Sequence, residues 1–302
     1  MVQVQPEEQK TCYYGAGLFV YIHSMAQRKR TLYISDLDGT LLNNESRITH
    51  STAQSLSRLI DEGMLFSIAT ARTPATVVEL MSDVKLRMPV VLMTGALIYD
   101  IASNSYLSVS SFPHEVSSQL LNMVADSDSS PMVYYIDNSL LHVAYRHTTN
   151  KHQRDFMECR MGTPYKKYVE VDGTLTAHPN TVLIFFMGAY NKMQAIYNRI
   201  ATIEGHRSYL YCDSLQPEQG YLEIYPAGTS KAAAIKQLAK HVEADEIVAF
   251  GDNVNDLPMF DIAHRSYATA NALDEVKAHA TQVIASNNDE GVAEFLMQDF
   301  RG

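Results

Sequence analysis

Apolar residues in this chain gather in short continuous runs, at 32–35, 64–69 and 89–93, which stop abruptly at the polar residues Asp36, Thr70 and Thr94. Runs of this length and composition predict buried strands. Between them the spacing changes to that of helices. Ala53, Leu56, Leu59 and Ile60 form one stripe, with Thr49 placed to cap it and Gly63 to close it, and Thr73-Pro74 opens a second helix with a cap and a first-turn proline. Strand and helix in alternation predict an α/β fold with a doubly wound parallel sheet. Ligands bind such sheets outside the carboxyl ends of the strands, where Asp36, Thr70 and Thr94 stand.

The rhythm breaks over 97–215. Strand patterns at 106–110, 132–136, 140–144, 182–187 and 208–211 are interrupted by helix patterns at 115–125 and 192–203, which reads as an inserted α+β module. The first rhythm then resumes. It gives a strand at 221–225, a helix at 230–242 capped by Thr229, a strand at 247–250 ending in Gly251-Asp252, and shorter units at 266–269, 273–279 and 282–285. The expected organisation is a core of 25–96 and 216–302 with an inserted domain of 97–215. Residues 1–24 read as an extension outside the core: their apolar run, 12–22, is too short to span a bilayer, and the sequence from Met25 leads directly into the first strand.

Composition narrows the functional classes. With 46% hydrophobic residues, 14 Gly and 10 Pro, the 302-residue chain has a globular make-up. A formal charge of −10 argues against nucleic acid or a membrane surface as partner, since either calls for a basic face. It does not argue against a phosphorylated substrate, because a bound cation reverses the local potential. The three cysteines, Cys12, Cys159 and Cys212, are widely spaced, which speaks against structural zinc or a disulfide framework and fits buried or neutral thiols in the cytoplasm.

The chemistry centres on Asp36-Leu37-Asp38-Gly39-Thr40. Two acids one residue apart at a strand end are costly unless a cation or substrate uses them. The first carboxylate can attack phosphorus and form a mixed anhydride. The second can protonate the leaving oxygen and then deprotonate water. Two carboxylates and a phosphate repel one another, so a hard divalent cation is required, and Mg²⁺ suits oxygen ligands of this kind. A second acidic group, Gly251-Asp252-Asn253-Val254-Asn255-Asp256, closes another strand; Asp252 is placed as a metal ligand, with Asn255 and Asp256 in support. Thr70 offers a hydroxyl to a phosphate oxygen. Lys231, in the first turn of a helix where a cation opposes the dipole, is placed to stabilise the transferring phosphoryl group. The histidines His142, His147, His152 and His178 and the tyrosines Tyr134, Tyr135 and Tyr145 read as packing or surface residues, and Lys166-Lys167 as a solvated strand edge.

Together these pieces resemble the haloacid dehalogenase superfamily of phosphatases, and more closely its Cof-type members with a type IIB cap, over about residues 31–298. The resemblance implies Asp36 as nucleophile and Asp38 as acid and base. It implies Mg²⁺ held by Asp36, the Asp38 backbone carbonyl and Asp252, and a phosphate-binding set of Leu37, Gly39, Thr70, Ala71, Arg72, Lys231 and Asn255. The stretch 220–235 is similar to the family's approach to its lysine. Two positions depart from the family pattern: Ala71 stands where Gly is usual, and Thr94 where Asn is usual. The implied substrate is a small phosphorylated metabolite, sugar phosphates first and cofactor phosphates next. A phosphomutase on the same scaffold, or a non-catalytic binder of a phosphorylated ligand, are the alternatives.

Overall fold

In a computed structural model the described residues are 29–213 and 216–301; the segment 1–24, read above as an extension, lies outside them. Strands β1 (Thr31–Ser35), β2 (Leu65–Ile68), β12 (Glu246–Gly251), β13 (Arg265–Thr269) and β14 (Gln282–Ile284) form one sheet in the order β14-β13-β12-β1-β2, parallel throughout. Helix α1 (His50–Asp61) and helix α9 (Gly291–Asp299) share a core with Tyr33, Phe66 and Phe250, while α6 (Lys231–His241), α7 (Leu257–Phe260) and α8 (Asp274–His279) share one with Leu32, Ile34 and Ala249. Alternate residues of each strand thus feed opposite cores. Burial on both faces is why these strands are continuous apolar runs. The doubly wound α/β class expected from the sequence is the one observed.

The remaining strands differ from the reading in two places. The run at 89–93 forms β3 (Val90–Leu92), but β3 pairs antiparallel with β4 (Leu97–Asp100), which pairs with β5 (Ser105–Val109). A single parallel bridge, Ala69 to Val91, and the bond from the Thr70 N–H to the Val91 carbonyl join this small sheet to β2. The strand at 221–225 is part of β11 (Gln219–Pro226), and it belongs to the inserted sheet, not to the core. That sheet runs β10-β11-β9-β6-β7-β8, with β6 (Met132–Asp137), β7 (Leu140–Tyr145), β8 (Lys166–Glu170), β9 (Thr181–Ala189) and β10 (His206–Cys212). Non-local pairing decides such membership, and a single strand's residues do not encode its partner. Helices α3 (His114–Met123) and α5 (Tyr190–Ile200) cover one face through Leu120, Leu121, Met193 and Ile196. The opposite face, with Tyr134, Phe185, Tyr221, Glu223 and Tyr225, is turned toward the ends of the core strands together with helix α4 (Lys151–Glu158).

Smaller corrections follow. Ser230, not Thr229, caps α6, accepting from the Ala233 N–H at 3.1 Å. Cys159 and Cys212 are exposed thiols. No helix among the described residues is long and apolar enough to cross a membrane.

Candidate active site

Two adjacent parallel strands bring the acidic motifs together. Ser35 lies in register with Phe250, and the Asp36 N–H donates to the Phe250 carbonyl at 2.9 Å, so Asp36 and Asp252 leave neighbouring strands side by side. The chain then turns sharply at Gly39 (φ +76°), where a Cβ would lie 2.3 Å from Asp252 Oδ2. Only glycine lets the two loops come this close. Across that contact Thr40 Oγ1 donates to Asp252 Oδ1 at 2.9 Å. The Gly39 carbonyl accepts from Asn271 Nδ2 at 2.7 Å and from Thr269 Oγ1 at 3.3 Å.

Lys231 reaches the centre of this arrangement from the first turn of α6. Its Nζ donates to Asp36 Oδ1 at 2.6 Å and to Asp256 Oδ1 at 2.7 Å, and its side chain is 1% exposed. Asp256 is wholly buried, and its Oδ2 accepts from the N–H groups of Asp252 (3.0 Å) and Asn253 (3.1 Å). Asp256 therefore fixes the lysine and the loop at once, a sharper role than the supporting one expected. Burial pushes the Asp36 carboxyl up to about 7 despite the attraction of Lys231, with Asp256 and Asp252 adding repulsion. Burial likewise raises Asp252 to about 6, opposed by its bond from Thr40.

Carboxylate oxygens of Asp36, Asp252 and Asp256 lie within 4.8 Å of one another, close enough to share one cation. Asp256 has both oxygens engaged by Lys231 and backbone N–H groups. Asp36 and Asp252 keep acceptor capacity, and their hard oxygens fit a small divalent ion. The Asp38 carboxylate is engaged elsewhere. Arg72 grips it with two bonds, Nε to Oδ2 at 2.8 Å and Nη2 to Oδ1 at 2.6 Å.

The other expected positions divide clearly. Thr70 is buried at the end of β2, and its hydroxyl accepts the Arg72 N–H at 3.2 Å. Leu37 is fully buried, which leaves only its backbone for a ligand. Ala71 and Arg72 line the cavity in front of the site, Arg72 with its guanidinium committed to Asp38. Asn255 is exposed, and its side chain has no hydrogen bond among the described residues. Thr94 holds a left-handed backbone (φ 56°). Asparagine tolerates that conformation better than threonine does.

Sequence reasoning passed over Thr40, Thr269 and Asn271. Thr40 sits inside the motif itself, and Thr269 ends a core strand just as Asp36 and Thr70 do. It also misjudged the wall opposite. A cavity of about 410 Å³ opens between Asp38 and Arg72 on the core side and Tyr134, Arg160, Lys166, Tyr211 and Glu223 on the inserted side. Lys166, read as a solvated edge residue, is only 4% exposed. It is the first residue of β8, a strand whose apolar content is too low to mark it in sequence.

A family model described as haloacid dehalogenase-like hydrolase matches residues 33–296. Among curated proteins, the 5-amino-6-(5-phospho-D-ribitylamino)uracil phosphatase YwtE of Bacillus subtilis is 28% identical over 287 residues, covering 88% of this chain and 97% of the relative. The pyridoxal phosphate phosphatase YbhA of Escherichia coli is 27% identical over 269 residues, covering 86% and 95%. Among solved structures, a haloacid dehalogenase-like hydrolase from Bacteroides thetaiotaomicron superposes with a TM-score of 0.73 at 21% identity, covering 90% of this chain and all of the other.

Proposed function

Because the chain belongs to the haloacid dehalogenase-like hydrolases, we propose that it is a Mg²⁺-dependent phosphatase in which Asp36 attacks the phosphorus of a small phosphorylated metabolite. The observation that carries this reading is the clamp of Lys231 between Asp36 and Asp256, with Asp252 alongside, at the carboxyl ends of two adjacent parallel strands.

In this mechanism Asp36 and Asp252, with the Asp38 backbone carbonyl, would hold a divalent cation, and Mg²⁺ bound there would neutralise phosphate charge that the carboxylates otherwise repel. Lys231 holds one Asp36 oxygen and leaves the other free to face phosphorus. Asp36 displaces the leaving oxygen and becomes an aspartyl-phosphate. Asp38, released by Arg72 and in its protonated form, gives that oxygen its proton and regains one from the water that hydrolyses the mixed anhydride. Arg72 holds the Asp38 carboxylate in place until the substrate arrives. The buried Thr70 hydroxyl and the N–H groups of the motif turn serve the phosphate oxygens.

The phosphatases named for a phospho-ribitylamino uracil and for pyridoxal phosphate support small phosphorylated metabolites as the substrate class. The cavity wall supports sugar and cofactor phosphates within it, since Tyr211, Tyr221 and Glu223 offer hydroxyl and carboxylate partners beside aromatic faces. The test is phosphate release from para-nitrophenyl phosphate and a panel of sugar and cofactor phosphates, with and without Mg²⁺. Asp36→Asn is expected to lower turnover roughly a thousandfold or more. Turnover that survives in this variant or ignores Mg²⁺ would contradict the reading.

A further inference from the structure

Lys166 and Arg160 stand together on the cavity wall formed by the inserted sheet. Lys166 is 4% exposed, and its ammonium has neither an ion pair nor a hydrogen bond among the described residues; its Nζ lies 5.1 Å from the centre of the Tyr168 ring. Arg160 lies 3.9 Å over the Phe156 ring, donates to the Phe156 carbonyl at 3.0 Å and to Cys159 Sγ at 2.9 Å, and has no carboxylate partner among the described residues. Burial, then repulsion from Arg160, push Lys166 down to about 8. Two neighbouring cations, one on a mostly buried side chain, face the cavity here without a counter-ion among the described residues, an arrangement that destabilises the empty protein.

The acids lining the same cavity do not relieve it. Asp38 is bound by Arg72. Glu223 accepts from the Tyr211 hydroxyl at 2.9 Å, and burial raises its carboxyl above the usual range. The same cavity wall carries a fixed aromatic seat. Tyr221 stacks on Phe185 at 6.1 Å and 9°, and its hydroxyl donates to Asp213 at 2.6 Å and meets His152 Nε2 at 3.1 Å.

We propose that Lys166 and Arg160 form a second anion subsite, so that the preferred substrate is a phosphoric monoester carrying a carboxylate or a second phosphate at the far end of its body. The inference rests on the phosphatase reading for the orientation of the ester but not for the existence of the subsite. An incoming anion supplies the missing counter-charge, and the low-dielectric wall strengthens the bond it makes. Substrates with a neutral far end leave both cations unpaired and bind less well. Discrimination therefore comes from leaving a buried charge unsatisfied.

The test compares matched pairs: 6-phosphogluconate against glucose 6-phosphate for a carboxylate, and fructose 1,6-bisphosphate against fructose 6-phosphate for a second phosphate. We expect the doubly anionic member of at least one pair to have a kcat/KM roughly tenfold or more above its partner. The pair that shows the preference identifies the anion. In Lys166→Met and in Arg160→Gln this ratio falls toward one, the loss residing in KM. Calorimetric titration of Asp36→Asn with the same four compounds reads the subsite without turnover, so a failed phosphatase reading leaves it measurable. Removing an unpaired buried charge is also expected to leave the melting temperature of Lys166→Met at or above that of the parent. No preference in either pair, or equal losses on both members in the variants, would overturn the proposal.

Discussion

Burial governs the charge state of the two carboxylates that face the candidate cation site. Asp36 is raised to about 7 and Asp252 to about 6, against an ordinary value of 3.8 for each, in both cases mainly through desolvation. In the metal-free protein the folded state therefore binds more protons than the unfolded chain between about pH 4 and 7, and its stability falls as pH rises through that window. A cation competes with those protons, so binding releases them and weakens as pH drops. The thermal shift produced by saturating Mg²⁺ is expected to be larger at about pH 8 than at about pH 5.5. Differential scanning calorimetry at both pH values decides this, and equal shifts would show that these carboxylates do not hold the ion. At this scale the sequence was most informative where chemistry is concentrated: the acids of 36–40 and 252–256 have few structural reasons to cluster at strand ends. It was least informative for Lys166. That lysine's burial depends on what other elements place over it, and nothing in its own neighbourhood separates it from a surface lysine.

Elements bring these residues together through close backbone approaches. Gly95 (φ +97°) ends the turn after β3, and a Cβ there would lie 2.2 Å from the Ser230 carbonyl oxygen, at the start of α6 and next to Lys231. Gly63 (φ +100°) ends the turn after α1 with nothing within 4 Å. The pair separates conformational strain from steric displacement. Gly63→Ala is expected to cost roughly 1–2 kcal/mol in denaturant melts and to leave activity intact. Gly95→Ala must add a shift of α6, costing about 2 kcal/mol or more and moving the lysine off Asp36, so that kcat falls as well. Equal behaviour of the two variants would remove Gly95 from the account of the site. The parallel strands were legible because strands buried on both faces are unbroken apolar runs. Elements of mixed character were not. The strand at 166–170 begins with two lysines, and α4 spends most of its eight residues on polar side chains. The partners of 90–92 and 219–226 were hidden for another reason: pairing is a property of two segments, and either strand would have suited either sheet.

At the level of the whole molecule, the cavity belongs to neither sheet alone, since Asp38 and Arg72 face Tyr134, Lys166 and Glu223 across it. The inserted sheet is tied to the core by two connectors that run close together after β5 and after β11. On one side the Ser110 N–H donates to the Ala96 carbonyl at 2.7 Å and the Phe112 N–H to the Thr181 carbonyl at 2.8 Å. On the other, the Ala227 N–H donates to the Gly205 carbonyl at 3.0 Å and the Thr229 N–H to the Pro226 carbonyl at 3.1 Å. Between the connectors the hydroxyls of Ser110 and Thr229 are 2.9 Å apart. We infer that this bond restrains any pivoting of the two sheets, because it joins the two connectors and is flanked by backbone bonds along each. Such pivots set how often a site is closed around its substrate, and altering one moves kcat and KM together. Ser110→Ala with Thr229→Val keeps the shape and removes the bond, at a cost of about 1 kcal/mol. The variant is expected to change both kinetic constants while leaving the Mg²⁺-induced thermal shift as it was, since the carboxylates proposed to hold the cation lie wholly in the core. Steady-state kinetics beside calorimetry would test this. A variant with unaltered kinetics would mean that the connectors serve as fixed struts and that the cavity keeps one width throughout the reaction.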